Sequence, residues 1–567
     1  MSSSTVSVTP HLAGEVLPSG EEDDGVNVKT LLPLLEKPDF FEARAYYYDF
    51  PSRPSLLGRT SSGKIPWWRL SEEPEDPSLS PYANLRGATV CGPVGPHAIH
   101  ACWRVSTLNR VRAALDGIPW TSIDVLRYGR AKLQEHERPV IVWVGVDLRF
   151  KWATEKSWDL IAFRLRAVRA ALDADNLTDV ECEMRDSEVL RTVDAGPRLL
   201  LPPHDRNPFG IYKGQEELAA FQPVSAAVGQ AITPANSNCN GTLGLYLKEE
   251  SEAGEDSDES GTVWALTCHH VAFPFHVDPT KQPVAMSLPE DLLLDTLEFD
   301  VDPHISRLEQ SIANHKPLSG ETSDSLENSE NQRQLKLFQK LRDVLLAFQT
   351  SDAARTLGHV HHSPPMRVKH AGTENAFWRD WALVELDRQK FPNGFGFENV
   401  VNLINKRYNP KLRNPPLTYR FPCDNLLRLK GTVPVEELLG QSSTSAFANH
   451  NGRRNIVMKR GYGTRVSAGI MLDIESVARS YVGGVQEESF ELAVVHLARP
   501  HDFDSYLARV FSNFGDSGAV VFDVKGRIVG MLTGGAGDDR IDCSYVTPIA
   551  KLQSDIEQTL GRRVRII

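Results

Sequence analysis

From about residue 205 to residue 547, apolar residues fall in short runs separated by Gly, Pro, Asn and acidic turns. Residues 241–247 and 262–267 are two such runs, and the strongly acidic segment 249–260 joins them. Short apolar runs bounded by turn residues are typical of β-strands, and many in succession indicate a barrel or a sandwich. This part of the chain is therefore predicted to form a β-barrel or sandwich domain.

Helices interrupt and end this β pattern. An insertion at about 280–350 contains one long helix with an apolar stripe at helical spacing, comprising Leu337, Phe338, Leu341, Val344, Leu345 and Phe348. A last helix begins at Pro548 and ends before Gly561, because proline suits the first helical turn and glycine the position after the last.

The first two hundred residues have a different texture. Residues 1–80 are rich in Ser, Pro and acids, which predicts a largely disordered segment that the aromatic patches at 45–48 and 67–68 could tether. Residues 81–205 alternate between helical and strand patterns: an apolar strand at 139–146 precedes a helix capped by Ser157. We predict an α/β module there, with a docking or regulatory role, and a linker at 206–228.

Composition and charge narrow the class of protein. The chain has 567 residues and a formal net charge of −12, which argues against binding to nucleic acids or anionic membranes. It contains no apolar run of about 18 residues and no N-terminal pattern of a secretory signal. Seven scattered cysteines without a Cys-x-x-Cys pair indicate reduced thiols. We expect a cytoplasmic or nuclear protein that is not secreted.

Residues 513–522, NFGDSGAVVF, carry the most specific signal for chemistry. Ser517 follows a Gly-Asp step, precedes a glycine and leads into an apolar strand, as acyl transfer to a hydroxyl requires. Glycines let a substrate carbonyl approach closely, and the N–H groups of Gly515 and Ser517 can converge on a tetrahedral oxyanion. A plain β-turn is the alternative interpretation, so this motif alone does not identify an enzyme.

A reactive serine needs a base to remove its proton, and that base needs an acid to orient it. His269 and His270 follow the apolar strand at 262–267, and Asp380 stands directly before an alternating strand. Each of these residues by itself is more often structural, at a strand end or in a turn. Their order along the chain, together with Ser517, makes them candidates for catalysis.

Three segments in the order His, Asp, Ser resemble those of the chymotrypsin/trypsin-like serine peptidases. T-C-H-H-V points to His270 as the base, D-W-A-L-V-E-L to Asp380 as its partner, and G-D-S-G-A-V-V to Ser517 as the nucleophile. The resemblance covers about 225–560 and implies two six-stranded β-barrels with these residues in the cleft between them. It implies Gly515 and Ser517 as the donors to the oxyanion.

The fold class is then multidomain α+β: an N-terminal α/β module, then a chymotrypsin-like double β-barrel at 229–562 with a helical insertion and a C-terminal helix. GTLG at 241–244 resembles the opening hairpin of the family, and KRGYGT at 459–464 resembles the strand that opens its second barrel. Residues 526–535 resemble the strand that pairs with the substrate backbone.

Departures from the family pattern indicate an intracellular, Deg-like branch. Val271 stands where secreted members carry a cysteine after the base. The spacing of the motifs requires the insertion at about 280–350 and a second one at about 390–455. No activation sequence precedes the first strand, so a new amino terminus pairing with Asp516 is not expected. The N-terminal module is one candidate to order the oxyanion loop instead.

The resemblance implies a primary specificity pocket with Phe511 at its base and Thr533, Gly534 and Gly535 along one wall. It places Cys543 and Ser544 near another wall. No carboxylate stands at the base, so a basic substrate side chain has no partner there. We therefore expect small or apolar side chains in this pocket; strong preference for Arg or Lys in a peptide library would contradict this.

Other chemistry has less support. His359 and His361 share one face of a strand, as metal ligands can, but no HExxH motif or nearby third ligand accompanies them. Cys268 could act as a thiol nucleophile, although cysteines on apolar strands are usually core residues. The chain has no phosphate-binding P-loop motif. We expect no metal and no organic cofactor.

The sequence thus predicts a serine endopeptidase that cleaves protein or peptide substrates through His270, Asp380 and Ser517 and a covalent acyl-enzyme. A regulatory partner could bind the N-terminal module. The alternative is a catalytically silent scaffold that binds partners with the same fold, because residue types alone do not establish activity.

Overall fold

The computed structural model describes residues 35–62, 89–147, 157–190, 222–235, 237, 239–250, 262–274, 284–314, 322–373, 375–391, 397–403, 426–439, 456–482, 485–496, 510–537 and 540–567. Many short strands and few long helices make this a β-rich, mixed α/β structure. Residues Leu35–Ile567 belong to one compact unit. Within the described ranges, no helix is both long enough and apolar enough to span a membrane.

The N-terminal part is a mixed sheet covered by helices. Its elements are α1 (Phe40–Ala45), β1 (Leu56–Arg59), β2 (Thr89–Gly92), α2 (Ile99–Cys102), α3 (Leu108–Ala114), β3 (Trp120–Arg130), β4 (Val140–Val146), α4 (Ser157–Asp173), β5 (Val180–Asp186) and β6 (Glu188–Leu190). Helix α4 connects the parallel strands β4 and β5, and its apolar face packs on the sheet. The strand predicted at 139–146 and the helix predicted to begin near Ser157 are confirmed.

Residues 35–62, within the segment predicted to be largely disordered, contain regular structure. Helix α1 and strand β1 lie there, and β1 pairs with β5. Tyr47 and Phe50 are buried in one cluster with Trp143. Burial of these aromatic side chains stabilises a segment of otherwise polar composition. Residues 1–34 and 63–88 lie outside the described residues.

The second half of the chain confirms the prediction of short strands with a helical insertion. Its elements are β7 (Gln230–Pro234), β8 (Gly241–Leu243), β9 (Leu245–Glu249), β10 (Val263–Thr267), α5 (His269–Ala272), β11 (Ala285–Ser287), α6 (Glu290–Asp295), α7 (Asp302–Asn314), α8 (Thr322–Phe348), α9 (Asp352–Arg355), β12 (Thr356–His362), β13 (Arg367–Lys369), β14 (Phe377–Arg379), β15 (Ala382–Leu386), β16 (Val400–Asn402), β17 (Leu426–Arg428), α10 (Val435–Leu438), β18 (Ile456–Gly461), β19 (Arg465–Met471), β20 (Ser476–Val482), β21 (Val485–His496), β22 (Val520–Asp523), β23 (Ile528–Gly537), β24 (Ile541–Pro548), α11 (Ile549–Leu560) and β25 (Val564–Ile566).

The β-domain ends later than predicted, and the second predicted insertion contains regular elements. The last helix is followed by β25, which pairs with β9, so the β-domain extends past the predicted end at 562. The second predicted insertion, at 390–455, contains β16, β17 and α10, and most of its other residues lie outside the described ones.

The strands form two large sheets. An eight-stranded sheet has the order β25-β9-β10-β15-β12-β11-β7-β8. A thirteen-stranded sheet has the order β1-β5-β4-β3-β20-β21-β19-β18-β22-β23-β24, with β2 on β3 and β6 on β23. Because β24 also pairs with β21, the six strands β21, β19, β18, β22, β23 and β24 close into a ring in that order.

The ring is packed on its inside and on its outside, because successive side chains of a strand point to opposite faces. On β18, Val457 packs in the ring interior, whereas Met458 packs in the core of the eight-stranded sheet. On β22, Val521 likewise packs in the ring interior and Phe522 in the core of the eight-stranded sheet. The eight-stranded sheet therefore lies against one outer side of the ring.

Another outer side of the ring packs on the N-terminal sheet. Ala493 and Tyr545 of the ring share a cluster with Trp143 of β4. Strand β20 pairs with β3, so the N-terminal sheet and the ring are one continuous sheet. This sheet crosses the predicted boundary at residue 205, because the long β20–β21 hairpin leaves the ring to pair with β3.

A buried charge network lies at this contact. Arg185 is fully buried; its Nη1 lies 3.4 Å from Asp542 Oδ2 and its Nη2 3.7 Å from Asp124 Oδ2. Its guanidinium stacks 3.6 Å from the ring centroid of Trp143. Buried charges are costly unless they are paired, so this network favours one arrangement of the two surfaces.

We predict that Tyr47→Ala lowers the free energy of unfolding by about 3–5 kcal/mol, because it empties a buried aromatic site. Tyr47 is fully buried and its hydroxyl donates to Glu183 Oε2 over 2.6 Å. Phe40→Ala, in the same segment but 79 % exposed, is the control and should change it by less than about 0.5 kcal/mol. Denaturant unfolding measures both; equal effects would contradict the packing of this segment.

Candidate active site

His270 and Asp380 are in direct contact. The His270 Nδ1 atom lies 2.6 Å from Asp380 Oδ2, and the His270 backbone N–H donates to Oδ1 of the same carboxylate over 3.1 Å. Asp380 is fully buried and His270 is nearly so. One carboxylate therefore holds both the backbone and the ring of His270.

The local sequence explains why these residues meet. Strand β10 ends at Thr267, and the one-turn helix α5 begins at His269, where the first N–H groups lack partners within the helix. Strand β15 pairs antiparallel with β10, with Ala382 opposite Thr267. Asp380, two residues before Ala382, therefore reaches the start of α5 and supplies an acceptor.

The contact with Asp380 sets the tautomer of the His270 ring. Nδ1 donates to the carboxylate, so Nε2 carries the lone pair. Nε2 is buried and has no hydrogen-bond partner within the described residues, so the Ser517 hydroxyl does not bond to it in this structure. The neighbouring His269 has different contacts: its Nδ1 lies 2.8 Å from Ser363 Oγ, and burial lowers its pKa. Of the two adjacent histidines, His270 is therefore the one whose ring contacts a buried carboxylate.

Ser517 lies in a loop that docks beside the strand leading to His270. The Thr242 N–H donates to the Ser517 carbonyl over 2.8 Å, and the Thr267 hydroxyl donates to the Thr242 carbonyl over 2.8 Å. A Cβ atom on Gly518 would lie 2.2 Å from the Thr242 carbonyl oxygen. The φ of +92° at Gly518 also favours glycine. This close docking brings the fully buried Ser517 to the end of β10 that precedes His270.

Asp516 anchors the same loop. Its Oδ2 lies 2.9 Å from Lys459 Nζ, and both side chains are fully buried. The carboxylate also accepts the backbone N–H groups of Asn513, Gly463 and Thr464. Gly515, just before it, has a φ of +87° and accepts the Thr242 hydroxyl through its carbonyl. Many short contacts therefore define the path of residues 513–518.

Lys459 gives Asp516 a cation from within the ring. Burial lowers the pKa of Lys459, and the negative charge of Asp516 opposes that shift. The N-terminal module is the candidate that the sequence offers for ordering this loop. Lys459 belongs to β18 instead, so the counter-ion of Asp516 comes neither from that module nor from a cleaved amino terminus.

Helix α11 braces the segment around Asp380. Asp555 Oδ2 accepts from Arg379 Nε and from Trp381 Nε1, each over 2.7 Å. Arg379 and Trp381 flank Asp380 in the chain, so Asp555 fixes the backbone on both sides of it. Burial raises the pKa of Asp555, but its bonds to Arg379, Lys369 and Trp381 outweigh burial and lower it.

The residues predicted for substrate specificity lie mostly in packed surroundings. Phe511, expected at the base of a pocket, is 2 % exposed and packs in the ring interior. Gly469 leaves the space for its ring, since a Cβ there would lie 2.7 Å from the Phe511 side chain. Phe511 is thus a core residue in this structure. Thr533, Gly534 and Gly535 lie on β23 and are also buried.

Two alternatives weighed from the sequence can be located. Cys268 is fully buried and its thiol donates to the Leu532 carbonyl over 3.4 Å. Its sulfur and ligand atoms of His270 and Asp380 lie within 4.8 Å of one another, the group of possible metal ligands found in the described part of the chain. His359 and His361 are exposed on β12 and do not belong to that group.

Sequence reasoning missed two contributors to the site. Lys459 lies in the KRGYGT segment, where a lysine within a buried strand signals a buried ion pair. Asp555 interrupts the apolar face of the last helix, which is a comparable signal. Ser544, expected near the specificity pocket, is buried, and its hydroxyl lies 2.6 Å from that of Ser512.

Comparison with known proteins adds little. No family model and no curated protein matches this chain. A solved structure to which it is similar is a serine-to-alanine mutant of Rv3671c from M. tuberculosis H37Rv in its inactive form. The similarity covers 65 % of this chain and 97 % of that one, at 9 % identity and a TM-score of 0.22. A similarity at this TM-score and identity does not support a conclusion about function.

We predict that Asp555→Asn lowers the free energy of unfolding by about 3 kcal/mol at pH 7. It removes the charge of a buried carboxylate that holds one buried bond, to Trp381, and two partly buried ones, to Lys369 and Arg379. Because the pKa of Asp555 is lowered in the folded state, its contribution is complete above about pH 4 and is lost as pH falls through the folded value.

Urea unfolding at several pH values measures this difference. The difference in the free energy of unfolding between wild type and Asp555→Asn should decrease below about pH 4. Ser554→Ala, an exposed position on the same helix, is the control and should show a small, pH-independent effect. A difference that does not change with pH would contradict a stabilising role for the Asp555 charge.

Proposed function

We propose that this chain is a serine endopeptidase of the trypsin-like family, with a double β-barrel formed by the ring and the eight-stranded sheet. The observation that carries the proposal is the clamp of Asp380 on His270. It leaves Nε2 buried and without a hydrogen-bond partner in the described residues, while the loop that contains Ser517 docks at the end of β10 that precedes His270. Hydrogen bonds of catalytic groups commonly tighten only when substrate binds, so the open Nε2 is compatible with this role.

In the proposed reaction, Ser517 Oγ attacks the carbonyl carbon of the scissile peptide bond while His270 Nε2 takes its proton. The N–H groups of Gly515 and Ser517 stabilise the oxyanion, a contribution of about 3–4 kcal/mol to barrier lowering. His270 then protonates the leaving amine, and the C–N bond breaks to give an acyl-enzyme. Water, deprotonated by His270, releases the acid and restores the serine. Asp380 keeps the tautomer and stabilises the imidazolium.

The second candidate is a catalytically silent scaffold. The complete burial of Ser517 favours it, because a nucleophile must be reached by its substrate. A fluorophosphonate probe separates the two candidates. Covalent labelling of Ser517 supports the peptidase, and its absence under all conditions supports the scaffold.

We predict that Ser517→Ala and His270→Ala each lower kcat for casein hydrolysis by about a millionfold while the protein stays folded, as checked by circular dichroism. His269→Gln is the matched control, because its ring contacts Ser363 and not Asp380. It should keep activity within a few-fold. Wild-type turnover in either alanine variant would refute the proposed roles.

We predict that Lys459→Met abolishes labelling of Ser517 and lowers the free energy of unfolding by about 3–5 kcal/mol, because it leaves the Asp516 charge buried without its cation. Lys525→Met, at an exposed turn between β22 and β23, serves as the control. Adding Asp516→Asn to Lys459→Met should recover part of the stability, since it removes the uncompensated charge. No recovery in the double variant would show that the pair is not the cause.

A further inference from the structure

Strand β6 occupies an edge of β23. The two strands pair antiparallel, with Leu190 opposite Gly535 and Glu188 opposite Gly537. Strand β24 pairs with the other edge of β23 in this region. Strand β22 pairs with β23 only as far as Met531. Strand β6 therefore takes the edge that β22 leaves uncovered.

The direction of β6 leads toward Ser517. Because the pairing is antiparallel, the chain passes Gly537 first and Gly535 last. Beyond Gly535, the Leu532 N–H donates to the Ala519 carbonyl, and the Leu532 carbonyl accepts the Gly518 N–H, both over 2.9 Å. The end of β23 that β6 approaches is thus bonded to the two residues directly after Ser517.

The N-terminal sheet holds β6 in this position. Ser187, at the junction of β5 and β6, is 2 % exposed; its N–H donates to the Val146 carbonyl and its carbonyl accepts the Thr121 hydroxyl, both over 2.9 Å. Val189 packs against the cluster that contains Ala536 of β23. Strand β6 is therefore attached firmly at its start and lies on the ring through a short pairing.

Extended peptides commonly bind a protein by adding a strand to an exposed sheet edge. One edge accepts one strand, and under the proposed function a substrate backbone would lie along the edge at 533–535. Strand β6 reaches this edge at Gly535, opposite Leu190. We propose that β6 is an internal competitor of the substrate, which keeps the peptidase in a latent state until it leaves β23. The proposal rests on the proposed function of Ser517.

The strength of this competition depends on the effective concentration of β6 at the edge of β23. A strand tethered to the same molecule acts at an effective concentration in the millimolar range. Protein substrates at micromolar concentration would compete poorly with it, whereas a small probe that needs no strand pairing would be unaffected. The N-terminal part of the chain would thus restrict substrate access and leave the triad chemistry intact.

The test compares Val189→Pro with wild type in the full-length protein. Proline lacks the N–H of a paired strand and disrupts pairing. Val189→Thr keeps the N–H and the β-branched shape and is the matched control. We expect Val189→Pro to raise kcat/KM for fluorescein-labelled casein by about tenfold, mainly through KM, with an unchanged rate of fluorophosphonate labelling. The control should match wild type in both assays.

Equal or lower casein turnover in Val189→Pro, with labelling intact, would overturn the proposal. Absence of labelling in wild type and both variants would instead show that the proposed function is wrong, and the proposal with it. To guard against misfolding, labelled casein binding is also measured in Ser517→Ala with and without Val189→Pro, alongside thermal unfolding. Equal affinity in these two variants would also overturn it.

Discussion

The buried ion pair between Lys459 and Asp516 is the contact on which the candidate site most depends. Both charges are fully buried, so each is stable only in the presence of the other. Asp516 also accepts three backbone N–H groups, and it directly precedes Ser517. The pair therefore connects the interior of the ring to the conformation of the loop on which the proposed nucleophile lies.

The other half of the site depends on a similar use of a buried carboxylate. Asp380 accepts from the ring and backbone of His270, and Asp555 holds the residues on either side of Asp380. The docking of Gly518 against Thr242 then joins the two halves. Three buried acids and one close glycine contact thus set the relative positions of groups from distant parts of the sequence.

The N-terminal part of the chain has a closer relation to this site than a separate docking domain would have. It continues the sheet of the ring through β3 and β20, and it packs aromatic side chains on the outside of the ring. It also supplies β6, which covers the edge of β23 beside the proposed nucleophile loop. One continuous β-structure can thus both stabilise the ring and restrict access to it.

The local features could be predicted without the structure: the short strands, the long helix of the insertion, the final helix, and His270, Asp380 and Ser517 as candidates. Those features depend on side-chain period, turn residues and short motifs, all of which are local. The fold was needed to show that Lys459 neutralises Asp516, that Phe511 lies in the core, and that residues 35–62 contain regular structure. These outcomes depend on which strands become neighbours across hundreds of residues, and burial then selects charge partners that no local pattern contains.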